Sequence, residues 1–267
     1  MLNNLIIGNM KTLFQYRDAL FSTTKFEFKK RYAGSGFGTI WVILYPILFL
    51  SVYLFLYLAV FKLSYPNLNE LEAVIYIFSG LVPYIAFMET ATTSTTILKQ
   101  NVHLLKNVVL PLSLVPTRVA LMAMITQIVS LTIILILSAI NGSISINLII
   151  LPFALLTQFF FILGIAYLLS PLGLIAPDIN YFVSLSTLLL LFVSPIGFMS
   201  SMLSTKMQLV VWANPIYYIL LPFRMAFLPA DHYPMVGLVI SFLVALASYS
   251  FGVFMFRKFT TFAIEYE

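Results

Sequence analysis

Long apolar runs separated by short polar links dominate this chain. The first apolar run, residues 37–61, reads FGTIWVILYPILFLSVYLFLYLAVF. Others cover residues 74–98, 114–140, 148–172, 181–199 and 235–256. A helix needs about 20 apolar residues to cross roughly 30 Å of hydrocarbon. The pattern therefore predicts six transmembrane helices. Polar links fall at residues 62–72, 141–147 (NGSISIN) and 173–180. Residues 200–234 fit neither pattern. They are too apolar for an ordinary loop, yet Pro215, Pro222, Pro229 and Pro234 cut them, and they carry Lys206, Asn214, Arg224 and Asp231. Broken apolar stretches of this kind form re-entrant helices packed against protein at membrane depth. A seventh span there would put proline and arginine in mid-bilayer, where both are costly.

Composition agrees with a bilayer. Hydrophobic residues make up 61% of the 267 residues and charged residues 9%, against about 25% charged in soluble domains. The fold class expected is all-α and integral to the membrane. Six transmembrane helices are preceded by an N-terminal interface helix, with short re-entrant or gating helices before the last span. Residues 1–36 form the cytoplasmic amphipathic part, 37–258 the transmembrane domain and 259–267 a cytoplasmic tail. There is no cysteine, which excludes disulfides, thiol nucleophiles and thiolate metal sites. His103 and His232 are far apart, so no metal centre is expected.

The fourteen basic residues set the orientation. Lys11, Arg17, Lys25, Lys29, Lys30 and Arg31 precede the first span, and Lys99, Lys106 and Arg118 lie around the link after the second. Arg257 and Lys258 follow the last span, while Lys62, Lys206 and Arg224 fall in the opposite loops. With both termini cytoplasmic, eleven are inside and three outside, as the positive-inside rule requires. The net charge of +5 has this explanation, and a nucleic-acid partner is not expected.

Residues 10–32 (MKTLFQYRDALFSTTKFEFKKRY) mix Phe and Leu with charge in a spacing that suits a helix lying in the interface, in contact with membrane lipids. A plain orientation signal is a compatible reading. Gly34, Gly36 and Gly38 follow, but position 39 is Thr39 and no strand precedes it. That excludes a dinucleotide fingerprint and leaves a turn into the first span. No G-x-x-x-x-G-K-[ST] motif occurs in these residues. The segment 98–118 can form a short basic and apolar helix from about residue 101 to 109, suited to docking in a partner's groove; a lipid-facing connector is the other reading. On the first span, Trp41, Tyr45, Phe49, Tyr53 and Tyr57 follow four-residue spacing and share one face. Such a stripe can stack sugar rings, or it can serve interface anchoring and helix packing. Glu89 lies within the second run and is expected to face protein, not lipid.

Several motifs, taken in order, resemble one family. Residues 31–46, RYAGSGFGTIWVILYP, are similar to the R-Y-x-x-S-x-L-G-x-x-W-x-x-x-x-P motif of ABC-2-type permeases that export polysaccharides, with Phe37 for the usual Leu. GLVPY at 80–84 resembles that family's G-L-x-P-W. NVVLPLSLVP at 107–116 resembles its coupling segment. Ser194, Pro195 and Ile196, then Asn214, Pro215 and Arg224, fit its S-P-I and N-P-x(8)-R patterns. APDI at 176–179 matches F-R-D-I only in part, since the basic residue is missing.

The resemblance implies the rest of the machine: a homodimer of this chain with two separate ATPase subunits, which bind the ATP and Mg. The chain itself would hold no cofactor and catalyse nothing. It would sit in the bacterial inner membrane and pass a lipid-linked glycan, with O-antigen the leading cargo. Teichoic acid, capsule, or a drug or small lipid remain alternatives. The resemblance makes Asn101, His103, Leu104, Lys106 and Asn107 candidates for ATPase coupling. Pro195, Asn214, Pro215 and Arg224 become a gating region. Trp41, Tyr45, Phe49, Tyr53, Tyr57, Tyr84 and Phe87 become candidates for the substrate path, and Lys29, Lys30 and Arg31 for the glycan's diphosphate headgroup.

Overall fold

The computed structural model describes residues 2–63, 65–66, 68–101, 111–228 and 235–266. The proposed helix at 101–109 therefore lies, apart from Asn101, outside the described residues, as do Asp231, His232, Pro229 and Pro234. Among the described residues every regular element is helical, as the apolar pattern requires.

The N-terminal arm is two helices, not one: α1 (Leu2–Gln15) and α2 (Arg17–Tyr32), parted at Tyr16. A one-turn helix, Gly38–Ile40, leads into α3 (Trp41–Leu54), and a wider π turn (Phe55–Val60) extends it. Helix α4 (Glu70–Gln100) begins with a capping box. Asn69 accepts from the Glu72 amide, and the Glu72 carboxylate accepts from the Asn69 amide, each at 2.9 Å. Helix α5 (Leu114–Ile140) ends at Gly142, whose φ of +68° makes the turn. Helix α6 (Leu151–Ile175) follows the 3-10 turn Ile146–Ile150. Then come α7 (Ile179–Val193), α8 (Thr205–Ala213), α9 (Pro215–Phe227) and α10 (Val236–Tyr266).

Five stretches are long and apolar enough to cross a membrane: Gly38–Val60, Glu70–Gln100, Leu114–Ile140, Ile146–Ile175 and Val236–Thr260. The expected fifth span is shorter than its apolar run. Helix α7 ends at Val193 because Pro195 follows and disfavours helix at the residue before it. At 1.5 Å per residue, α7 is about 22 Å long, short of the hydrocarbon thickness. The chain nevertheless reaches both ends of the bundle. At its start, Thr95 near the end of α4 donates to Asn180 at 2.9 Å. Beyond its end, Gly197 and Phe198 accept from Tyr65 and Tyr76, which lie at the opposite end. The helix and its bent tail together run alongside α4 from Thr95 to Tyr76, about 28 Å along that helix.

Residues 200–228 carry the expected broken helices. Asn214 and Pro215 separate α8 from α9, which meet at 91°. Helix α4 is the hub: most of its residues are buried, and it packs against α5, α6, α7 and α9. Helices α6 and α10 touch backbone to backbone. A Cβ on Gly164 would lie 2.3 Å from the Ser248 carbonyl, and one on Gly252 would lie 2.2 Å from the Gly164 carbonyl. Small residues allow that approach, as in other membrane helix pairs.

Helix α1 does not float in the interface. Asn9 is 5% exposed, and its side-chain oxygen accepts from Tyr167 on α6 and Tyr249 on α10, both at 3.1 Å. Tyr167 also shares a 2.7 Å hydrogen bond with Thr117 on α5. A buried polar node thus ties the N-terminal helix to three transmembrane helices.

Candidate permease cavity and gate

Three features meet at the basic end of the bundle, where α2, the end of α4 and the start of α5 converge. The first is a cavity of about 920 Å³ opening between α3, α4 and α7. Arg31, Ser35, Trp41, Tyr45, Glu89 and Thr93 are among its walls. The hydroxyls of Thr92, Ser184 and Thr187, also in the lining, donate to carbonyls of their own helices at 2.8, 2.7 and 3.0 Å.

The second feature is an ion pair inside that cavity. Arg31 donates to the Glu89 carboxylate across 58 positions of chain. The two side chains are 29% and 19% exposed, so Glu89 faces protein and the cavity, as expected of an ionisable residue in a span. Burial alone would lower the Arg31 pKa. The Glu89 carboxylate and Tyr32 more than offset it, so the net shift is upward.

The third feature is a second ion pair one helical turn away. Glu27 lies 3.7 Å from Arg118, which also donates to the Asn101 side chain at 3.2 Å. Residues i and i+4 share a helix face. One face of α2 is thereby fixed to both helices that flank the 102–110 segment. Of the residues expected to couple to a partner, Asn101 sits at this junction, and His103, Leu104, Lys106 and Asn107 lie outside the described residues.

The three headgroup candidates are not equivalent. Arg31 lines the cavity. Lys29 is exposed, and Lys30 is exposed beside Glu27 at 3.8 Å. The aromatic candidates also divide. Trp41 and Tyr45 face the cavity. Phe49 packs against the core. Tyr53 and Tyr57 are buried and stacked with ring centroids 4.6 Å apart. Tyr84 is fully buried and donates to the Thr187 carbonyl. Phe87 lines a different, apolar cavity of about 570 Å³ beside Leu190, Asn214 and Pro215.

At the far end the gating candidates come together. Arg224, 2% exposed, donates to the carbonyls of Pro195 and Ile196 and lies over the Tyr76 ring at 4.0 Å. Asn214 caps α9 by accepting from the Ile216 amide at 3.0 Å and donates to Ser194 at 2.9 Å. The carbonyls of residues 195–198 in this non-helical segment are thus held by side chains, as bilayer depth demands. Sequence reasoning missed Tyr65 and Tyr76, which bind Gly197 and Phe198, and Gly197, whose Cβ would sit 2.0 Å from the Tyr57 ring. It also missed Glu27 and Asn9. The four-residue spacing of Glu27 and Arg31 was a usable signal for the first; nothing local marked Asn9.

Comparison with known proteins follows the same direction. No protein-family model matches the chain. An O-antigen export system permease protein RfbA of Klebsiella pneumoniae is 29% identical over 214 residues, 79% of this chain and 80% of the relative. A second of that name and organism is 27% identical over 213 residues, with the same coverage. An O-antigen export system permease protein RfbA of Myxococcus xanthus is 29% identical over 192 residues, 72% of each chain. Relatives and motifs agree: the chain is a multi-pass membrane protein and a permease, the transport subunit of an export system, and its motifs are similar to those of the ABC-2 type.

Proposed function

We propose that this chain is the transmembrane subunit of an ATP-driven exporter that moves a lipid-linked polysaccharide, O-antigen, across the bacterial cytoplasmic membrane. It works as a homodimer with two separate ATPase subunits, and both of its termini are cytoplasmic. The names of the three relatives support the cargo, and the placement of eleven basic residues on one side supports the orientation.

The observation that carries the reading is the cavity at the basic end. It combines a cation from α2, aromatic rings from α3 and hydroxyls from α4 and α7, and it lies beside the junction that flanks the 102–110 segment. An anionic headgroup pairs with Arg31, since a guanidinium fork matches phosphate oxygens. Trp41 and Tyr45 offer ring faces to the first sugars. Force from the ATPase enters through α2 and the α4–α5 link, which the two ion pairs join. Separation of two copies then opens a path, and the Arg224-held segment at the outer end yields last.

The test is export in a strain lacking its own permease, with protein level controlled. Wild-type chain together with its ATPase restores surface O-antigen, and the two co-purify. Arg31→Ala lowers export severalfold with the protein still in the membrane. Unchanged export in that variant would remove the headgroup role. Failure of the wild-type chain to co-purify with any ATPase would remove the whole reading.

A further inference from the structure

The Arg31–Glu89 pair occupies the wall that an anionic cargo would need. Arg31 has one guanidinium, and Glu89 already holds it. Both side chains also line the open cavity and are partly exposed, at 29% and 19%, so a ligand can reach the pair without unfolding anything. Glu89 belongs to α4, and Arg31 belongs to α2. Breaking the pair therefore loosens α2 from α4 while Glu27 and Arg118 still hold it to α5.

We propose that Arg31 and Glu89 form a latch that cargo opens: the diphosphate of a polyprenyl-linked lipid takes Arg31 from Glu89 and so frees α2 to pivot about Glu27 and Arg118. This deepens the exporter reading and rests on it. A diphosphate has more charge and more acceptor oxygens than one carboxylate, so it competes for a guanidinium where a single carboxylate sits. The Trp41 indole and the Tyr45, Ser35 and Thr93 hydroxyls line the same cavity and add donors that Glu89 at its own position does not use. Once displaced, the Glu89 carboxylate lies close to the bound anion and repels it. Glu89 thereby sets a threshold that a singly charged phospholipid headgroup does not pass, a use of like charge for specificity. The pairing also couples occupancy of the cavity to the position of the helix beside the coupling segment, by population shift between latched and unlatched states.

The chain has no cysteine, so a labelled pair reports cleanly. Asp18→Cys, about 13 Å along α2 from the Glu27 pivot, and Gln100→Cys at the end of α4 are both at exposed positions. The full permease with its ATPase, in lipid nanodiscs, is spin-labelled at these sites and the distance distribution is read by pulsed electron resonance. Undecaprenyl diphosphate is expected to lengthen or broaden the distribution, while undecaprenol and added phosphatidylglycerol leave it unchanged. Glu89→Gln is expected to show the unlatched distribution without ligand, and to bind undecaprenyl diphosphate about tenfold more tightly. Arg31→Lys, which keeps the charge but loses the fork, weakens binding; it serves as the folded control should Glu89→Gln prove unstable. An unchanged distance on adding the diphosphate overturns the latch. So does an equal response to phosphatidylglycerol, or Glu89→Gln affinity equal to wild type. Surface polysaccharide made by the wild-type chain is scored separately, so the exporter reading stands or falls on its own result.

Discussion

Arg224 shows how a charge can serve structure inside a membrane protein. It is buried at 2% exposure, and its described partners are two carbonyls and one aromatic face. Those carbonyls belong to the segment after α7 that cannot be helical beside Pro195. Left unpaired, a buried carbonyl costs about 1–3 kcal/mol. Arg224→Met is therefore expected to lower thermal stability in detergent most. Arg224→Lys follows, because an ammonium lacks the planar guanidinium that lies over the Tyr76 ring while its Nη2 donates to both carbonyls. Tyr76→Phe keeps the ring and loses the 2.9 Å hydrogen bond to Phe198, a loss of about 1 kcal/mol. Melting curves that placed Tyr76→Phe level with Arg224→Met would show that the hydroxyl, not the guanidinium, holds this segment. Asn9 poses the same question at the other end. Asn9→Ala leaves two tyrosine hydroxyls without their acceptor, and α1 is expected to become more open to protease, at about 1–3 kcal/mol of lost stability.

At the scale of elements, the long helices were legible because a bilayer imposes one rule, about 20 apolar residues, on every span. Four of the six predicted spans match their helices to within about five residues at either end. The π turn that lengthens α3 was not legible, since no local residue pattern marks it; the early end of α7 had a local signal in Pro195, which the apolar run around it masked. The two-helix form of the N-terminal arm was hidden too, because no proline or glycine stands at Tyr16, where the helices part. Glu89 could be read from sequence as facing protein, but its partner could not: no periodicity links positions 31 and 89. The close packing of α6 on α10 was equally silent, since an isolated glycine in an apolar run has many explanations. Its consequence is direct. Gly164→Val would push a side chain into the Ser248 backbone, which cannot yield as a flexible side chain would. Overpacking of a rigid contact costs about 1–3 kcal/mol or more. The variant is expected to lose its monodisperse peak in size-exclusion chromatography, and Gly36→Val, with nothing within 4 Å, to keep it.

For the whole molecule, topology is the quantity on which orientation, cargo direction and ATPase docking all depend. It hangs on α7. By length alone, α7 is too short, and the bent α8–α9 pair would be counted as a sixth span in its place. Contacts argue otherwise. The start of α7 is bonded to Thr95 near the basic end, and the residues just beyond it are bonded to Tyr65 and Tyr76 at the opposite end. The two tethers stand 19 residues apart on α4, about 28 Å at 1.5 Å per residue, close to the hydrocarbon thickness. Helices α8 and α9 then begin and end on the far side, with α9 dipping inward at Asn214. Single cysteines in the otherwise cysteine-free chain decide the matter. Lys11→Cys and Lys258→Cys are expected to react with an impermeant maleimide only from the cytoplasm, and Lys62→Cys and Lys206→Cys only from outside. Lys206 is the discriminating position, because it precedes α8. Labelling of Lys206→Cys from the cytoplasm would mean that α7 turns back within the membrane and that the bent pair makes the crossing. The Arg224-held segment would then have to be approached from the opposite face, and an outer gate could no longer be built from it.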